Sequence, residues 1–232
     1  MRAIVKSCAI LIALATSTVS QAQKVAIIID DIGYHLGNGY RVAQLPMPVT
    51  MAVIPHTPNA RELAEAGKVA GKEVILHLPM SNNSNQPLDK GALTESMPEE
   101  DFKEAIRLSL AAVPHIQGVN NHMGSLLTQL PQPMSWVMET LQQQQLYFID
   151  SRTSPNTIAQ IEAQAHQLPN LKRDVFLDNI RNETAIRHQL ERLLTIADRQ
   201  GIAVAIGHPY PETLAVLEQA LPGLKLRGYQ LA

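Results

Sequence analysis

The chain has 232 residues, 45% of them apolar and 17% charged, with a formal net charge of −2. That length and balance suit one soluble globular domain with a sizeable core. The near-neutral charge and the scattered basic residues give no support to a nucleic-acid partner.

Residues 1–22 read differently from the rest. Arg2 and Lys6 make a short basic start, residues 8–19 form an uncharged run of apolar and small side chains, and Ser20-Gln21-Ala22 offers small residues at a cleavage site. This is the pattern of a secretory signal peptide, and the run is short for a bilayer span. Cys8 is the only cysteine and falls inside that segment. The expected mature domain, residues 23–232, would therefore have no thiolate, and any metal in it must be held by His and carboxylate. The expected location is the periplasm, with no stable membrane insertion once the signal is removed.

From residue 24 onward, short apolar runs alternate with amphipathic ones. The predicted strands are residues 25–29, 49–54, 73–76, 116–119, 146–149, 175–177 and 202–206. They are apolar on both faces, as parallel strands covered by helices are. The predicted helices are 59–70, 99–112, 134–144, 156–167, 183–200 and 211–220. Acids in the first turn mark two of them, after Pro98 and at Pro211-Glu212, and Gly71 and Gly201 stand where helices should stop. Repeated strand–helix units predict a single α/β domain, a distorted or incomplete β/α barrel of about seven strands. Residues 81–97 (SNNSNQPLDKGALTESM) predict a long polar loop after a strand, either functional or merely exposed.

Polar residues recur directly after the apolar runs. The first run ends in Asp30-Asp31, the second in Pro55-His56, and the third carries His77 in VILHLPM. The fourth leads to Asn120, Asn121 and His122, the fifth to Asp150, Ser151 and Arg152, and the last to His208. In a parallel β/α barrel these strand ends share one face, where active sites of that fold lie. Each residue alone has an ordinary structural explanation; His56 reads well as part of a turn, and Asp150 as a helix cap or a partner of Arg152. His35, His115, His166 and His188 fall outside the pattern and read as surface residues, while Asp174 and Asp178 read as structural.

Two adjacent acids beside a buried strand repel one another and resist ionisation, so something must compensate. One carboxylate with two neutral imidazoles makes a three-ligand site with an open position for water. The second carboxylate would then lie within reach of that water as a base.

The segments AIIIDDIG (26–33), MAVIPH (51–56), GKEVILHLPM (71–80), GVNNHMGS (118–125), FIDSRTS (148–154) and IAVAIGHPYPET (202–213) together resemble the divergent polysaccharide deacetylase family, related to metal-dependent carbohydrate esterases. The resemblance implies a distorted β/α barrel and a divalent metal, with zinc the expected ion. It implies Asp30 as base, Asp31 and His77 as metal ligands, His208 as general acid and Asp150 as a supporting acid. The better-known deacetylases take a second histidine four residues after the first; here that position is Ser81, and His122 is the candidate third ligand. The implied partner is an acetylated glycan such as peptidoglycan. The expected activity is metal-dependent deacetylation of an N-acetylated polysaccharide. The competing expectation is an inactive or regulatory envelope protein that keeps the metal-binding barrel. A hydrolase acting on another acyl group would use the same chemistry.

Overall fold

The structure, a computed structural model, describes residues 22–231. Apart from Ala22, the segment read as a signal peptide lies outside the described residues. No helix among the described residues is long and apolar enough to cross a membrane.

The elements run in order β1 (Lys24–Ile32), α1 (Leu36–Ala43), β2 (Thr50–Val53), α2 (Ala60–Val69), β3 (Glu73–Met80), α3 (Glu99–Ala112), β4 (Ile116–Met123), α4 (Pro131–Gln143) and β5 (Tyr147–Asp150). Then follow α5 (Ala159–Ala165), β6 (Asn170–Lys172), β7 (Val175–Phe176), α6 (Glu183–Gln200), β8 (Ile202–Gly207), α7 (Pro211–Leu226) and β9 (Gln230–Leu231). One sheet takes the order β6-β5-β4-β3-β2-β1-β8-β7, every pairing parallel, with β9 added beside the start of β1. The sheet curls into a half-barrel, the predicted architecture.

Two apolar layers hold it. The outer one lies between sheet and helices and includes Ile27, Ile29, Val74, Leu76, Phe102, Phe148, Leu193 and Leu217. The inner one is small: Ile28, Ala52, Ile75, Ile149, Val204 and Ile206 fill the concave side. Alternation along each strand divides the two sets, with Ile27 and Ile29 outward and Ile28 inward.

The differences from the predicted elements have local causes. Strands β3 and β4 run on to Met80 and Met123, past the predicted ends, because His77 pairs with Asn120 and Pro79 with His122. These polar residues are therefore inside the sheet, not beyond it. Helix α1 was not predicted. Its sequence LGNGYRVA holds two glycines, and a Cβ on Gly39 would meet Leu63 at 2.4 Å, so glycine lets α1 pack close to α2. Helix α7 continues through Pro222 to Leu226, where buried Leu221 and Leu224 fasten its last turns to the core. Helix α5 is shorter than predicted because Thr157 is occupied with Asp150 before it begins. The segment 81–97 is irregular as predicted, but it is pinned: Leu93 is fully buried and bridges Met80, and Ser81 N–H bonds Leu93 C=O at 2.9 Å.

Candidate metal centre

In an unbroken strand Asp30 and Asp31 would face opposite sides of the sheet. Asp31 instead has a φ of 56°, and the β1–β2 register shifts between Ile29 and Ile32. A left-handed residue is uncommon away from glycine, though aspartate tolerates it better than most. Here it turns the second acid onto the concave face that already holds the first. Beside them, β3 brings His77 and β4 brings Asn120 and His122.

Three ligand atoms converge. His122 Nδ1 lies 3.0 Å from His77 Nε2 and 3.1 Å from Asp31 Oδ1, and His77 Nε2 lies 3.4 Å from the same oxygen. A tetrahedral ion with bonds of about 2.0–2.1 Å has ligand–ligand edges of about 3.4 Å. Among the described residues, Asp31, His77 and His122 form the group of side chains placed to share an ion.

The neighbours decide where the imidazole protons sit. Asn120 Nδ2 donates to Asp30 Oδ1 at 2.8 Å, and a carboxylate can only accept, so the amide orientation is fixed. Asn120 Oδ1 must then accept from His77 Nδ1–H, at 2.7 Å. That leaves His77 Nε2 as a bare lone pair pointing at the cluster. His122 Nε2 lies 3.0 Å from Asp89 Oδ2, which places its proton on Nε2 and bares Nδ1. Asp31 Oδ1 is buried and has no directed hydrogen bond. With both rings neutral in these tautomers, three lone pairs face one point, and a cation suits that donor set.

The charges agree. Burial resists ionisation of Asp31, but the imidazoles of His122 and His77 outweigh it and hold its carboxyl far below the usual range. Burial opposes charge on His77, yet Asp30 and Asp31 outweigh burial and raise it. Without a cation the cluster therefore gathers a proton; with one, the imidazole can stay neutral. Asp30 differs: burial raises its carboxyl above the ordinary value, with His77 and His208 pulling the other way.

His208 follows β8 and comes within 3.9 Å of Asp31 through Nε2. Its Nδ1 is 2.9 Å from Asp178 Oδ1, and Asp178 Oδ2 also accepts the His208 backbone N–H at 2.6 Å. The structure thus gathers Asp30, Asp31, His77, His122 and His208. Asp150 sits apart: its carboxylate accepts from the Arg152 N–H at 2.8 Å and the Thr157 hydroxyl at 3.1 Å, and it makes no hydrogen bond to those five. Asn121 holds the Ser151 N–H at 2.9 Å, so Ser151 and Arg152 belong to the same turn. His56 is exposed, and its ring packs over Gly91. Among the other histidines, His115 meets Glu65 at 2.7 Å, His166 meets Ser135 at 3.0 Å, and His188 is exposed. Of the supporting residues, the sequence places Asn120 at a strand end without a role, Asp178 reads there as structural, and Asp89 is not singled out by it.

A cavity of about 370 Å³ opens over the cluster. Asp31, Asp89 and His122 line it together with Tyr34, Arg181 and Tyr210. The Arg181 guanidinium lies 3.7 Å over the Tyr210 ring.

Comparison with known proteins bears on this site. An uncharacterized protein, YibQ, of Escherichia coli strain K12 is 43% identical over 211 residues, which make up 91% of this chain and 66% of that protein. A crystal structure of an uncharacterized protein, ATU2773, from Agrobacterium tumefaciens C58 superposes with a TM-score of 0.85 at 20% identity, covering 92% of this chain and 88% of that one. A family 4 carbohydrate esterase from Streptomyces lividans, in complex with acetate, superposes at 0.56 with 15% identity, covering 90% of this chain and 92% of the esterase. At such identities the two structures speak to the fold, a distorted β/α barrel. The match to a family is made by the sequence itself, over residues 27–232, which hold every side chain of the cluster. The chain belongs to the divergent polysaccharide deacetylase family.

Proposed function

We propose that the protein is a divalent-metal-dependent deacetylase that hydrolyses acetamide groups on an N-acetylated polysaccharide of the cell envelope, with zinc as the ion and the periplasm as its place of work. The observation that carries this reading is the set of three bare ligand atoms on Asp31, His77 and His122, with a separate carboxylate and a separate imidazole beside them. Family membership and the barrel support the same chemistry.

A divalent cation held by those three side chains would polarise the acetyl carbonyl and make a water more acidic. The remaining steps belong to the chain. Asp30 Oδ1 is committed to Asn120, so Oδ2 is the oxygen free to take the proton of the attacking water. Burial raises the Asp30 carboxyl, a direction that favours proton uptake by a base. His208 Nε2 gives a proton to the departing amine while Asp178 holds Nδ1. The Tyr34 and Tyr210 rings and the polar groups of the cavity give a sugar ring both an apolar face and hydrogen-bonding partners.

The test is acetate release from N-acetylated glycans by zinc-loaded protein. Asp30→Asn should lower turnover by about 10²–10⁴-fold. It should leave zinc content unchanged, because Asp30 is outside the ligand set. Zinc-loaded native protein that releases no acetate from peptidoglycan, chitin-type or other acetylated glycans would defeat the reading and favour an envelope protein without this activity.

A further inference from the structure

We propose that Asp89, carried by the long loop 81–97, is the positioning residue that presents His122 to the cation, which makes this loop a working part of the metal site. The inference rests on the metal-hydrolase reading and assigns within it a residue that lies on no strand.

His122 needs such a partner. Unlike His77, whose Nδ1 is fixed by Asn120 from the neighbouring strand, His122 is near the end of β4 with its Nδ1 turned to His77 and Asp31, so its Nε2 is held from outside the strands. Asp89 is that partner. Its Oδ2 accepts from His122 Nε2 at 3.0 Å, while its Oδ1 accepts the Tyr34 hydroxyl. Tyr34 stands three residues after Asp31. The contacts therefore run from the loop to His122 in one direction and back to the Asp31 segment in the other. A carboxylate accepts and does not donate, so Nδ1 is the nitrogen left bare toward Asp31 and His77.

The loop is built to hold this carboxylate still. Leu93 N–H bonds Pro79 C=O at 2.9 Å, and Asn82 Oδ1 accepts the backbone N–H groups of Ser84 and Gln86, each at 3.0 Å. The Asp89 side chain is only 17% exposed. Ser81, four residues after His77, bonds Leu93 and Glu95 and so ties the end of β3 to the same loop.

The experiment measures zinc affinity of the metal-stripped full chain by competition with a chromophoric chelator. Asp89→Ala and Asp89→Asn should each weaken binding by about 10–100-fold. Tyr34→Phe should weaken it less, and Glu95→Gln, in the same loop but without contact to His122, should stay within about twofold of native. Nitrogen chemical shifts of His122 in the zinc-free protein give a second readout. Native protein should show the proton on Nε2, and Asp89→Ala a mixture of tautomers. Binding within twofold of native in both Asp89 variants, or an unchanged His122 tautomer, would overturn the inference while leaving the proposed function standing. Native protein that takes up no zinc would overturn both. If Asp89→Ala fails to fold, Asp89→Asn and Tyr34→Phe decide the matter.

Discussion

His208 shows how one carboxylate sets another residue's chemistry. Burial alone would push its imidazole down, but the hydrogen bond and charge of Asp178, helped by Asp31 and Asp30, push it up to about 9. The sign of the linkage follows. A raised histidine stabilises the fold fully below its unfolded value, near 6.5, and loses that contribution as pH rises through about 9. In the zinc-free protein, Asp178→Asn should bring the His208 titration, followed by NMR, well below the native one. In the proposed deacetylase reaction the alkaline limb of the rate profile should move to lower pH. An unshifted titration would show that Asp178 does not govern the proton on His208. His208 was legible in the sequence because it follows an apolar strand. Asp178 follows one too, but a lone acid near a short strand looks structural, and only the fold shows it facing His208. Asp174, read the same way, does have the structural task, accepting the Val204 N–H at 2.9 Å. Asp89 gave no signal at all, since nothing in a polar loop marks which acid turns inward.

Strand cores were easy to place because a buried parallel strand is continuously apolar. Strand ends were not. The apolar run in β3 is interrupted at His77 and Pro79, and in β4 at Asn120, yet both strands continue because each pairs with the other through these residues. Polarity ended the predicted strands where the site's needs, not the backbone, placed the polar groups. The loop 81–97 shows the converse. It looks like an exposed connection, but Leu93 is fully buried and forms a bridge to Met80. Leu93→Ala should therefore cost about 2–5 kcal/mol by urea unfolding, as a core leucine does. It should also weaken zinc binding, because the loop it anchors carries Asp89. A destabilised variant with native zinc affinity would separate the loop's packing from the candidate metal site.

The whole sheet has two edges, β6 and β7, and these are consecutive in the chain. The crossing between them is what draws the half-barrel together. Arg173 N–H bonds Asp150 C=O at 2.9 Å on one side, and Asp174 N–H bonds Val204 C=O at 2.8 Å on the other. The Arg173 side chain strengthens this strap. Its Nε and Nη2 donate to the carbonyls of Ser151 and Arg152 at 2.7 and 2.8 Å, and its guanidinium covers the Phe176 ring at 3.6 Å. Phe176 in turn stacks beside His208, with ring centres 6.2 Å apart. Arg173→Ala should cost about 2–4 kcal/mol in chemical denaturation, because two charge-assisted hydrogen bonds are lost and two carbonyls are left without their donor. Arg173→Lys keeps the charge but not the planar fork, which can meet both carbonyls and the ring at once. It should recover less than half of that loss. Full rescue by lysine would mean that charge near Asp30 and Asp150, rather than the fork, holds the edges together. Failure of both variants with an intact His208 titration would mean that the strap closes the barrel without ordering His208. A lowered turnover in both, at native zinc content, is the expected result, because the strap that closes the sheet also carries the ring against which His208 rests.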